Sequence, residues 1–113
     1  MRLRADIFVS ALLRRCAVEN VPAMLRRRGA AEAGAIFIKV DRLDGTATLY
    51  GPAPQSETGE RGVDRVFTRL HKAEAIDSPD AEERLRKEIS FDSDLWIVEI
   101  DDREGRPYVD LTD

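Results

Sequence analysis

Few side chains in this 113-residue chain could do chemistry, and they are scattered along it. His71, the single histidine, is the one side chain whose ordinary pKa suits proton transfer near neutrality. At the end of an alternating stretch it reads equally as a structural hydrogen-bonder. Cys16 has no partner for a disulfide. Arg14 and Arg15 adjoin it and would lower its pKa, but reactivity also needs exposure, and its place in an apolar helical pattern makes it a small buried hydrophobe. One cysteine and one histidine do not make up a usual zinc set, and Asp92, Asp94, Asp101 and Asp102 lack the spacing of a calcium loop. No phosphate-binding glycine loop occurs, and no nucleophile elbow surrounds Ser56, Ser78, Ser90 or Ser93. The expectation is therefore no metal, no cofactor and no catalytic residues.

Two constellations are worth more. If the strands below alternate as written, Phe37, Lys39, Tyr50, Phe67, Arg69 and His71 share one sheet face. Aromatics interleaved with bases on a sheet are how RNA-recognition folds stack bases and hold phosphates. The competing readings are that the first helix covers this face, or that it is a dimer interface. The second constellation is basic: Arg14, Arg15, Arg26, Arg27 and Arg28 could engage phosphate. Residues 1–28 carry seven arginines against two acids, whereas residues 73–113 carry fourteen acids against five bases. With a net charge of −4, electrostatic capture of nucleic acid is disfavoured, and the reading preferred is that the two ends meet and neutralise each other, within the fold or across a dimer.

The elements that would position these residues follow from periodicity. A helix is predicted over 6–19, with Phe8, Leu12 and Cys16 on one stripe, Asp6 as a cap and Pro22 preventing continuation. Strands are predicted at 23–28, 35–40, 46–50 and 65–71, with Asp44-Gly45 as a hairpin turn and Gly51-Pro52 as a terminator. The polar stretch 55–64 is expected to be a mobile loop. A second helix is predicted at 79–90, with Ser78 as cap, Pro79 at the first position and Ala81, Leu85 and Ile89 as its buried stripe. Leu95 to Ile100 is apolar at almost every position, as a central strand covered on both faces should be. A last short strand is expected around Tyr108 and Val109. Leu12, Ile36, Ile38, Leu49, Leu70, Leu85, Ile89 and Ile97 are the expected core. The class is α+β, one domain over 1–113, in the order αββββαββ with a mainly antiparallel sheet and two helices.

The composition, 42% hydrophobic and 35% charged, is that of a folded, well-solvated domain. The apolar run from Ile7 to Leu13 is at the short limit for a signal peptide, is stopped by Arg14-Arg15 without a cleavage site, and is too short to span a bilayer. A cytoplasmic protein with no membrane association is expected.

Four segments carry a family resemblance: Asp6-Ile7-Phe8-Val9-Ser10-Ala11-Leu12-Leu13-Arg14-Arg15-Cys16, Gly34-Ala35-Ile36-Phe37-Ile38-Lys39-Val40, Leu49-Tyr50-Gly51-Pro52-Ala53-Pro54-Gln55 and Asp94-Leu95-Trp96-Ile97-Val98-Glu99-Ile100. Together they resemble a family of short alphaproteobacterial proteins classed as a domain of unknown function, number fourteen ninety-one. The resemblance covers nearly the whole chain. It implies a bacterial cytosolic protein and brings no activity, cofactor or site residues with it. The residues and the resemblance together point to a non-catalytic interaction or regulatory module that self-associates as a homodimer, an unknown protein partner being the other route. The alternative is a nucleotide or RNA binder using the aromatic–basic face. An enzyme centred on His71 comes last.

Overall fold

The computed structural model describes residues 3–54 and 65–112. The loop expected to be mobile, 55–64, lies outside the described residues. The chain runs α1 (Ala5–Val18), β1 (Ala23–Arg27), β2 (Ile36–Asp41), β3 (Thr46–Pro52), β4 (Phe67–Arg69), β5 (Ile76–Asp77), α2 (Ser78–Phe91) and β6 (Trp96–Asp101).

Helix α1 forms because Ala5, Val9, Leu12 and Cys16 recur on one side, and all four are buried. Asp6 does not cap it. The helix starts after Arg4, and its first amides donate to backbone carbonyls of a neighbouring turn, Ala5 to Glu32 at 3.0 Å and Asp6 to Ala31 at 3.0 Å. The carboxylate of Asp6 instead pairs with Arg4 at 3.2 Å. Helix α2 starts one residue earlier than expected, with Asp77 before it and Pro79 in its first turn. Its narrow stripe of Ala81, Leu85 and Ile89 is the part that meets the sheet.

The six strands form one sheet in the order β1-β6-β2-β3-β4, and β5 pairs with the other end of β3. All pairs are antiparallel except β2 with β6, which run parallel from Ile36 opposite Trp96 to Asp41 opposite Asp101. The two helices cover opposite faces. Ile36, Ile38, Val40, Tyr50, Phe67, Trp96, Val98 and Ile100 pack under α1, while Phe37, Ala47, Leu49 and Ile97 pack under α2. Strand β6, central and covered on both sides, is as its unbroken apolar run requires. Gly29 is where β1 leaves β6. A side chain there would collide with the Asp94 carbonyl and with the backbone of Leu95.

Two expectations are corrected. No strand forms at Tyr108 and Val109, because both edges of β6 are already taken by β1 and β2. After Pro107, Tyr108 adopts a left-handed backbone (φ 59°), and the chain crosses to β4. There Asp110 accepts from the Phe67 amide and Thr112 donates to the Phe67 carbonyl, both at 2.9 Å. The strand expected over 65–71 is only three residues long, and β5 takes the rest of that edge of β3. The opposite edge of the sheet, β1, carries no further strand among the described residues. Pro22 precedes it, and its register shifts between Leu25 and Arg27, so Arg26 lies in a bulge.

Candidate functional site

The register of β2 against β3 decides where the expected aromatic–basic face goes. Tyr50 lies opposite Ile38, and Leu49 opposite Lys39. Tyr50 therefore shares a face with Ile36, Ile38 and Val40, while Phe37 and Lys39 point to the other side. Phe67 and Arg69 alternate in step with Tyr50, which pairs with Arg69. The structure thus brings Tyr50, Phe67 and Arg69 together on the α1 face and Phe37 with Lys39 on the α2 face, correcting the expectation of one shared face.

Each of the six is engaged where it stands. Phe37, Tyr50 and Phe67 are buried, with the Phe67 ring 5.7 Å from that of Phe8 in α1. The Tyr50 hydroxyl donates to the Gly105 carbonyl at 3.0 Å, and burial raises its pKa. Arg69 donates through Nε to His71 O and through a terminal nitrogen to Lys72 O, both at 2.9 Å, fastening the turn after β4. His71 lies past β4. Its Nε2 accepts from the Leu49 amide at 3.0 Å, and its Nδ1 faces the Ala73 carbonyl at 2.7 Å. An amide can only donate and a carbonyl only accept, so the ring is neutral with its proton on Nδ1. Burial, above all, holds its pKa below the usual value.

Lys39 is the centre of a charged cluster that the sequence reading did not assemble. It is 6% exposed, and its Nζ lies 2.6 Å from Glu82 on α2 and 3.8 Å from Glu99 on β6. Arg26, from the β1 bulge, reaches Glu82 at 2.8 Å and Glu99 at 3.0 Å. Hydrogen bonds from Arg26 and then Lys39 hold the Glu82 carboxyl down at about 2, and the Arg26 guanidinium is correspondingly more basic than usual. The only signal in the sequence was the charge gradient. A basic N-terminal segment and an acidic C-terminal half do meet here, within one chain.

The basic segment itself is dispersed. Arg15 donates to the Tyr108 carbonyl at 3.1 Å, Arg27 to Ser93 O at 2.7 Å, and Arg28 stands 5.2 Å over the Trp96 ring. Arg14 is exposed on α1. Cys16 is fully buried, and burial raises its thiol pKa, so it is not poised for nucleophilic attack. Of the four aspartates considered for a cation, Asp101 alone lies in a cluster that could hold one among the described residues. Its carboxylate and those of Asp41 and Glu99 have oxygens within 4.8 Å of one another, but Glu99 is already shared by Arg26 and Lys39. Asp102, by contrast, is held by Arg106 at 2.7 Å, which lowers its pKa.

Among the described residues a cleft of about 260 Å³ lies between α1 and the C-terminal segment. Phe8, Ala11, Leu12 and Val109 supply apolar wall. Arg15 and Arg65 line it alongside Asp110. Arg65 is buried, donates to the Leu3 carbonyl at 3.2 Å and lies 6.0 Å from the Phe8 ring centre. The sequence reading missed this cleft because its second wall is the segment mistaken for a strand. Among the described residues no helix is long and apolar enough to cross a membrane.

The profile of a family described as protein of unknown function (DUF1491) matches residues 3–110. Three solved structures are similar over the whole of this chain. A crystal structure of a DUF1491 family protein from Caulobacter crescentus is 33% identical, with a TM-score of 0.79 and all of its chain covered. A solution structure from A. tumefaciens is 38% identical, with a TM-score of 0.82 and 97% of its chain covered. An NMR structure of a DUF1491 family protein from Caulobacter crescentus is 34% identical, with a TM-score of 0.78 and 99% covered. No curated protein matches the chain.

Proposed function

We propose that this chain, which belongs to the DUF1491 family of proteins of unknown function, is a non-catalytic interaction or regulatory module. Its binding surface on this reading is the cleft between α1 and the C-terminal segment. The observation that carries it is the contrast in engagement. His71, Lys39, Arg69 and Tyr50 are spent on bonds that hold the fold, whereas the cleft keeps apolar wall at the surface, with the exposed Arg15, which donates to the Tyr108 carbonyl, at its edge. A recess with an apolar floor and a few convergent polar groups is the ordinary form of a binding site. The exposed Arg15 at its edge selects a partner that presents an apolar or aromatic side chain beside a carboxylate.

The test is amide shift mapping by NMR with an acetylated, amidated tripeptide of aspartate, phenylalanine and aspartate. Shifts confined to Phe8, Ala11, Arg15, Val109 and Asp110, abolished by Ala11→Phe, are the expected result. Because Ala11 is exposed, that substitution fills the recess without touching the core. The absence of shifts at millimolar peptide, or shifts centred on Tyr50 and Arg69, would overturn the reading. The second pattern, reproduced with oligouridylate, would point to nucleic acid instead.

A further inference from the structure

The outer edge of β3 is covered by two strands that do not meet. Strand β4 pairs with Tyr50, Gly51 and Pro52, and β5 with Thr46 and Ala47. Thr48 and Leu49 are left facing the irregular segment 70–75 that joins them. Leu70 begins it by donating its amide to the Leu49 carbonyl at 3.0 Å. After that, side chains replace the ladder. The Leu49 amide donates to His71 Nε2 at 3.0 Å, and Thr48 Oγ1 donates to the Glu74 carbonyl at 2.7 Å. An imidazole nitrogen thus stands where a neighbouring strand would supply a carbonyl.

The two ring nitrogens respond oppositely to a second proton. Nδ1 donates to the Ala73 carbonyl at 2.7 Å, a bond inside the segment that a charged ring strengthens. Nε2 would become a donor aimed at the Leu49 amide, which is also a donor, so the bond to the strand is lost. The surroundings do not compensate. Arg69 holds the segment by the His71 and Lys72 carbonyls, and its guanidinium, with that of Arg84 on α2, acts against a positive ring. Arg84 is paired with Glu88 at 3.1 Å, and Glu74 with Arg42 at 3.7 Å. Lys72 and Asp77 are exposed, and β3 carries no carboxylate. A carbonyl in the place of Nε2 would hold at any pH, whereas the ring holds only while neutral. We propose that segment 71–75 is a proton-operated latch on the edge of β3, closed over Leu49 while His71 is neutral and opened when the ring takes a second proton. The Nδ1 bond keeps His71 and Ala73 together, so the segment opens as a unit. This device goes beyond the reading of the cleft and does not depend on it.

Amide hydrogen exchange of the full chain, followed by NMR from about pH 7.5 down to about pH 4.5 and corrected for intrinsic rates, tests this. Leu49 should be protected at the upper end, with the imidazole nitrogen resonances showing the proton on Nδ1. Because the closed ring resists protonation, its opening should increase by up to about tenfold per pH unit below about 6.5. The amides of β2 and β6 should keep their protection over the same range. In His71→Gln, whose side-chain oxygen accepts the same bond without titrating, Leu49 opening should not respond to pH. Leu49 opening that stays flat while the ring titrates overturns the inference. So does opening that rises in step with β2 and β6, which is global unfolding, or a response that survives in His71→Gln. Should that variant not fold, the comparison of Leu49 with β2 and β6 in the unaltered chain decides alone.

Discussion

The two faces of the sheet are built from alternate residues of the same strands, yet they solve the packing problem differently. Under α1, strands β2 and β6 present Ile36, Ile38, Val40, Trp96, Val98 and Ile100, an apolar layer in which the Trp96 Nε1 donates to Ala30 O at 2.8 Å. Under α2, the same strands present Phe37 and Ile97 and then change character, with Lys39 beside Glu99 and Asp41 beside Asp101. The cause lies in the helices. Helix α1 offers four buried apolar positions, but α2 has only Ala81 and Leu85 fully buried, so its Glu82 must find partners on the sheet. One face is held by contact area and shape, the other by area at one end and charge at the other.

The sharpest way to break this contrast is on the α1 side. Trp96→Ala removes the largest fully buried side chain together with its 2.8 Å bond to the Ala30 carbonyl, which still accepts from the Gly34 amide at 3.3 Å. A loss of about 3–5 kcal/mol is expected, read from the midpoint of urea unfolding at an unchanged slope. On the α2 side the effect should be smaller and of a different kind. Glu82→Gln leaves Lys39 buried with weakened compensation, for an expected loss of about 1–3 kcal/mol. Adding Lys39→Met to that variant should recover part of the loss, whereas no second substitution of equal size recovers Trp96→Ala. If the double variant is no more stable than Glu82→Gln alone, the ionic end does not behave as a coupled unit. The cluster also has a pH signature. The Glu82 carboxyl is depressed from its ordinary value to about 2, so its contribution is complete above the unfolded pKa near 4.5 and is lost as pH falls toward 2.

The smallest effect concerns His71, which joins β3 to the turn after β4. Its folded pKa lies below the unfolded value of about 6.5, so stability is complete above that pH and declines as pH falls from there toward the folded pKa. Protonation puts a donor at Nε2 against the Leu49 amide, another donor. His71→Gln should remove this slope while leaving the transition of Glu82 in place. A slope that survives the substitution would have to come from another group.

How much of this was legible in the residues depended on what kind of information each feature needs. Both helices could be read because their stripes are local, Val9–Leu12–Cys16 and Ala81–Leu85. The centrality of β6 was visible in Leu95–Ile100 because double burial leaves an unbroken apolar run. The aromatic–basic face failed because it depended on register. Phe37 and Tyr50 are each on a strand as expected, but a one-residue difference in pairing sends them to opposite sides. Lys39 reads in the sequence as one base of the aromatic–basic face, since nothing near it reveals Glu82 or Glu99. The cleft was invisible for the same reason, being made by a tail whose path is decided by which edges are already occupied.

The border of the sheet at β1, unpaired among the described residues, has a last consequence. A chain with an unpaired strand end-capped only by solvent is a template on which further copies can stack without limit, the route to insoluble fibres. Here Pro22 withholds a donor and the bulge at Arg26 breaks the straight ladder. Growth along that border is therefore interrupted after a residue or two.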